Sequence, residues 1–455
     1  MRAAPKVAAL CAITSLLAAA CSPAGRLQLR TVSAPERPPT PSDPAYTVRL
    51  GTGAAGHVWR GVETISFTNT GPSPLARVWL RLWANGVVGC DPLAIVITRV
   101  GRGSVGPMEL DCTAVPVDLA SPIPSGSRGS FELGLRIVIP ERNDRFGYQH
   151  GLNLVGNAIP TVAVNDDRGW HLDPYVHLGE SFYSVVGRYE VTLSVPDGMD
   201  TPSTGVPVRH RTSRDRVITT YVARRVRDFA WAAGALARVT DTSNSSQVRV
   251  WYQPGSTSRS QATTVLSWAV DAMNTFSSSF GAYPYPEVDV VVSEFATFGG
   301  MEYPTLVFAN ANRVTVTHEL SHQWWYGIVG NDEFAEPWLD ESFATWSESL
   351  PYAPWRNCSS YSWPSATAWL TNDMAYWRDH PTEYRTVYGG GGCLLAHLAH
   401  RFGVARFVEL LREYAADHWL GIARTRDFKA AVEEAAATEL PGFDADAFWS
   451  HWRVG

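Results

Sequence analysis

One short run constrains this chain more than any other: Val316-Thr317-His318-Glu319-Leu320-Ser321-His322-Gln323-Trp324-Trp325. Side chains four residues apart leave an α-helix on the same face, about one turn apart. His318 and His322 can therefore present two imidazole nitrogens to one metal ion, with Glu319 alongside and within reach of a water on it. No Pro or Gly interrupts residues 311–326, and apolar residues recur there at helical spacing. A catalytic zinc site needs a third protein ligand and an open position. Glu341 can supply the ligand from a second helix-compatible run, Trp338-Leu339-Asp340-Glu341-Ser342-Phe343-Ala344. Upstream lies Gly299-Gly300-Met301-Glu302-Tyr303-Pro304, whose paired glycines would let a substrate backbone approach closely.

In this order and spacing the motifs resemble the aminopeptidase N family of gluzincin metallopeptidases, which also includes leukotriene hydrolase. The resemblance covers most of the chain after its first residues. It implies one Zn²⁺ held by His318, His322 and Glu341, and a peptide substrate. Glu319 would then be the general base, and later the acid, of peptide hydrolysis. The family's glycine-rich motif is a strand lining the cleft, so Gly299, Gly300 and Met301 are expected to contact substrate. Its Glu, here Glu302, would bind the free α-ammonium and so restrict cleavage to the first residue. The family also uses a Tyr of a Tyr-x-Lys-Gly segment, ahead of a helix, to stabilise the developing oxyanion. Its counterpart is Val387-Tyr388-Gly389-Gly390-Gly391-Gly392, with Tyr388 in that role and Tyr384 as the alternative. Two positions depart from the pattern: Tyr303 stands in place of Asn, and Gly390 in place of Lys.

An aminopeptidase is thus the expected activity. The alternatives are a zinc endopeptidase and a zinc-binding lipoprotein without catalysis, the latter at odds with an intact Glu319. A net charge of −6 with no basic stripe argues against nucleic acid as a partner. Oligomeric state and side-chain preference leave no mark in the sequence.

Residues 1–21 read as an export signal. Arg2 and Lys6 precede an apolar stretch, 7–20, too short to span a membrane as a mature helix. The end of that stretch, Leu17-Ala18-Ala19-Ala20-Cys21, resembles a bacterial lipoprotein cleavage box. It predicts a lipid anchor on Cys21 at the outer face of the cell membrane, with plain secretion as the alternative. Residues 22–44, rich in Pro and Ser, read as an extended tether. Four further cysteines in an exported chain suggest two disulfides. Cys90 with Cys112, and Cys358 with Cys393, are the expected pairs among three possible arrangements, since each falls within one domain.

Hydrophobicity alternates with a period of two from residue 45 to about 243. Tyr46, Val48 and Leu50 make one such run; Phe131, Leu133, Leu135, Ile137 and Ile139 another; Tyr189, Val191, Leu193 and Val195 a third. This predicts an N-terminal all-β domain, a sandwich or curved sheet. Its stretch Gly169-Trp170-His171-Leu172-Asp173-Pro174-Tyr175 resembles the family's, and His171 and Asp173 read as loop anchors. The run Asp228-Phe229-Ala230-Trp231 is read as packing. From 244 to 455 the period becomes helical. Helices are expected over 260–280, at the metal motif, around Glu341, and over 392–402, 405–416 and 426–436, with strands over 288–292 and 305–308. This order fits the thermolysin-like, mainly helical catalytic domain that the resemblance implies. The large helical C-terminal domain of many relatives is not in this sequence, which leads to the expectation of a more open cleft.

Overall fold

Strand pairing follows the alternation. The computed structural model describes residues 39–244, 246–352, 358 and 360–455. Seven strands form the principal sheet, in the order Val206–Ser213, Arg216–Val226, Gly187–Pro196, Ser42–Thr52, Val58–Thr68, Arg128–Val138 and Ile95–Gly101. Neighbours are antiparallel except Ser42–Thr52 with Gly187–Pro196, which run parallel. Tyr46, Val48 and Leu50 face inward on one strand, and Tyr189, Val191, Leu193 and Val195 on its neighbour, as period-two burial requires. The strand begins at Ser42, inside the expected tether. Pro44 is accommodated by a register shift between Ser42 and Ala45 at the strand's start, a position where Pro is tolerated.

A second sheet carries the site. Its five strands run in the order Ala237–Thr242, Gln247–Tyr252, Glu287–Val292, Leu306–Ala309 and Gly300–Met301. The helix Arg259–Phe280 makes the crossover between two parallel strands, and a Ser258–Gln261 capping box starts it. Ala237–Thr242, which precedes the expected domain boundary, is hydrogen-bonded into this sheet. Helices follow at Arg313–Ser321, Trp338–Ser347, Met374–Asp379, Arg385–Phe402, Val404–Asp417, Thr425–Glu439 and Ala445–His451. The molecule thus has a β-rich N-terminal part and a mainly helical C-terminal part.

One expectation fails instructively. The helix bearing Tyr388 starts at Arg385, not at residue 392, and runs through four consecutive glycines. Glycine disfavours helix by about 1 kcal/mol per residue relative to Ala, so the run reads as a loop. Packing overrides it. A Cβ at Gly391 would lie 1.8 Å from Ser342 Oγ, on the helix that carries Glu341. Only a glycine surface lets these two helices approach so closely.

The described residues from 39 onward fall in one compact unit, and residues 1–36 lie outside the described residues. The export segment and Cys21 fall there. One apolar core runs from Tyr46 and Trp59 in the β part to Trp338 and Phe428 among the helices. Buried Arg227 stitches the parts together. Its guanidinium donates to the carbonyls of Tyr326 (2.6 Å), Ser184 (3.0 Å), Ile328 (3.3 Å) and Gly421. Cys90–Cys112 and Cys358–Cys393 are disulfides, as expected. Among the described residues no helix is long and apolar enough to cross a membrane.

Candidate metal centre

The metal helix, Arg313–Ser321, begins at Asn312, whose side chain accepts from the amides of Val314 (2.9 Å) and Thr315 (3.3 Å). His322 is its C-cap residue and keeps helical dihedrals (φ −65°, ψ −12°), so the four-residue spacing survives the helix end. His318 Nε2 and His322 Nε2 lie 3.2 Å apart. Glu341, in the first turn of Trp338–Ser347, brings Oε2 to 3.1 Å from His318 Nε2 and 3.5 Å from His322 Nε2.

The residues present fit zinc. His318 Nδ1 donates to Glu348 Oε2 at 2.8 Å, and His322 Nδ1 donates to the Trp325 carbonyl at 2.9 Å. With both Nδ1 protons so engaged, both Nε2 atoms turn lone pairs toward Glu341 Oε2. Three electron-rich atoms facing one another need a cation between them. Their separations match the roughly 3.3 Å between ligand atoms in a tetrahedral zinc site. Electrostatics agree. Burial disfavours the imidazolium, but hydrogen bonds to Glu341 and Glu348 outweigh it and hold His318 well above its usual range. Burial likewise opposes the charge on His322, yet Glu302 and Glu341 push it up to about 10. Burial would raise Glu341 too, and its contacts with both histidines instead hold it well below the usual carboxylate range. A cluster that draws protons this strongly will bind a divalent cation in their place.

Around the ligands opens a cleft of about 590 Å³, lined by Glu302, Glu319, Glu180, Arg145, Tyr384 and Tyr388 among others. Glu319 is buried (5% exposed) and is not one of the three clustered ligands. Burial chiefly, and the negative charge of Glu302, raise its carboxyl to about 8 against the pull of the two histidines. Tyr388 donates from its hydroxyl to Glu341 Oε1 at 2.7 Å. Glu302 is 3% exposed, lies close to Glu319 and His322, and its Oε1 has no hydrogen-bond partner among the described residues.

Two expected contacts are redirected. Gly299 and Gly300 line the cleft, but a Cβ at Gly300 would meet Glu319 Oε1 at 2.6 Å and the Phe308 carbonyl at 2.4 Å. The missing side chain there makes room for Glu319 as well as for any ligand. Met301 does not line the cleft. It pairs with Phe308 across the sheet and is 1% exposed in an apolar cluster with Trp83, Phe182 and Phe295. Strand alternation sends it to the face opposite its neighbours.

Other residues join the site without a signal in the sequence. Glu180 and Arg145, both buried, form an ion pair on the cleft wall. They come from segments far apart in the chain, where no local spacing marks them. Tyr384, the sequence-based alternative to Tyr388, also reaches the cleft, its hydroxyl unpartnered among the described residues. His171 lies outside the cleft, 2.9 Å from Asp166 and 3.2 Å from Asp332, and so anchors a β-part loop to the segment between the metal-ligand helices.

Comparison with known proteins points the same way. The model of the Peptidase family M1 domain matches residues 265–373, a span containing the glycine-rich motif and every metal ligand. Aminopeptidase M1-B of Oryza sativa subsp. japonica is 26% identical over 337 residues, covering 60% of this chain and 38% of that protein. Aminopeptidase 2 of Candida albicans is 28% identical over 246 residues, covering 46% of this chain and 26% of the relative. The chain thus spans well under half the length of these curated relatives. Among solved structures, an M1 zinc metallopeptidase variant from Deinococcus radiodurans superimposes with a TM-score of 0.62 at 18% identity. It covers 90% of this chain and 94% of the other. A two-domain M1 zinc metallopeptidase bound to L-tryptophan gives 0.61 at 20% identity, with 90% and 94% covered. At these identities the likeness concerns the fold. Family model, relatives, shared architecture and a donor set suited to zinc converge: residues 265–373 match the Peptidase family M1 domain, and the chain is similar in sequence and fold to M1 zinc metallopeptidases, the aminopeptidase N family.

Proposed function

We propose that this protein is a zinc-dependent aminopeptidase that releases N-terminal residues from peptides. The observation that carries the reading is Glu302. A buried carboxylate oxygen with no partner among the described residues, beside the metal cluster, is costly unless a ligand satisfies it. A free α-ammonium does so, and a blocked terminus does not.

Zinc, when held by His318, His322 and Glu341, supplies a Lewis acid that polarises a carbonyl and acidifies water. Glu319 takes the proton released as water adds to the peptide carbonyl, and returns it to the leaving amine. A carboxyl that burial holds near neutrality suits both transfers. The Tyr388 hydroxyl turns from Glu341 toward the carbonyl oxygen as charge develops there. Glu302 fixes the register by accepting from the α-ammonium.

A panel of fluorogenic aminoacyl amides, each with an N-acetylated partner and assayed with and without chelator, tests this. Free amides should be cleaved at least about 100-fold faster than acetylated ones, the discrimination of a buried charge left unpaired. Equal rates would mean an endopeptidase, and zinc binding without turnover on any member would mean a non-catalytic lipoprotein.

We also propose export and lipid anchoring at Cys21 on a bacterial cell membrane. The two disulfides support an oxidising compartment. In a bacterial host, Cys21→Ser should move the protein from the membrane fraction to the soluble exported fraction; an unchanged distribution would remove the anchor.

A further inference from the structure

Tyr303 and Asp228, two residues that the chemistry above leaves unused, are linked inside the protein through Asn157. Tyr303 occupies the position next to Glu302 but turns away from the cleft and is fully buried. Its hydroxyl donates to Asn157 Oδ1 at 2.7 Å. Asn157 Nδ2 donates in turn to Asp228 Oδ2 at 2.6 Å, and Asp228 Oδ1 accepts from the Phe229 amide at 2.6 Å. The room for this is built in: a Cβ at Gly156 would lie 1.7 Å from the Tyr303 hydroxyl oxygen. The backbone of the same residue is held from the other side. Gln323, which follows His322, donates from Nε2 to the Tyr303 carbonyl at 3.1 Å and accepts from the Thr305 amide at 2.7 Å.

Glu302 has little of its own to aim it, since Oε1 is unpartnered among the described residues. A carboxylate so placed takes its direction from its backbone. That backbone is clamped between the metal helix, through Gln323, and the β part, through Asn157 and Asp228. We propose that Tyr303 is a positioning residue for Glu302: the buried relay Tyr303–Asn157–Asp228 sets the carboxylate at the distance from the metal that a free N-terminus must span. The inference rests on the reading of Glu302 as the ammonium acceptor.

Tyr303→Phe keeps the ring, which packs edge-on against Phe308 at 5.4 Å, and removes only the hydroxyl. KM for free aminoacyl amides should rise about tenfold with kcat changed less than about threefold, the pattern of lost binding rather than lost chemistry. Zinc content should stay at one equivalent. Asn157→Gly opens the relay from its middle, at a residue whose φ of 53° glycine tolerates, and should give the same shift. The decisive comparison is Tyr303→Phe in a Glu302→Ala background, where a residue acting through Glu302 has nothing left to move. No further rise in KM there supports the proposal. A full additional rise, or an unchanged KM in both single variants, overturns it while the ammonium reading stands. If Glu302→Ala itself leaves the preference for free over acetylated amides intact, the ammonium reading fails, and this proposal with it.

Discussion

Replacing Glu319 by Gln is expected to leave zinc bound and lower kcat by about 10²–10⁴-fold, the range for a lost general base. The side chain lies against Gly300, and its carboxylate clusters with Glu302 and His322 rather than in the His318–His322–Glu341 set. Glutamine has the same shape, so it fills the same space and leaves the ligands undisturbed, but it cannot take a proton from water. Metal analysis beside steady-state rates on a free aminoacyl amide reads both halves of the statement. Zinc lost together with turnover would make Glu319 a ligand; full turnover with zinc retained would place the base elsewhere.

Taking away the metal should have an effect of similar size by a different route. Glu341→Gln removes the anionic member of the ligand set and leaves two nitrogen lone pairs 3.2 Å apart with weaker compensation. Zinc content is expected to fall from one equivalent to near none, and turnover to background. Chelation of the unaltered protein should do the same reversibly, with activity restored by added zinc. Stability should drop as well, because a ligand bound only by the folded state stabilises it by about 4 kcal/mol at 1,000 times its Kd. A thermal melt with and without chelator measures that. One equivalent of zinc held unchanged by the variant would rule Glu341 out as a ligand.

How much of this could be read in advance depends on how local each feature is. The histidine pair was legible because helical geometry alone aligns residues four apart, and neighbouring sequence had no breaker. Glu341 was legible through its spacing in a recognised pattern. The period-two runs around Tyr46, Phe131 and Tyr189 became sheet strands because alternation is a property of the strand itself. Tyr388 lines the cleft, as its motif suggests, but the sequence places the helix only from residue 392; the reason it starts at Arg385 lies in Ser342, dozens of residues away. Met301 was placed in the cleft by its motif, whereas the pleat turns it into the core.

By itself, then, the sequence determined that His318 and His322 share one helix face with Glu319 alongside, and that a β part is followed by a helical part. Those depend on backbone periodicities of a few residues, which any local stretch carries in full. Only the tertiary structure decided that Arg145 and Glu180 wall the cleft, that Gly300 yields its space to Glu319, and that Tyr303 faces inward to Asn157 and Asp228. Each of those is set by close packing between segments distant in the chain, and steric exclusion across such distances leaves no periodic trace in the residues that obey it.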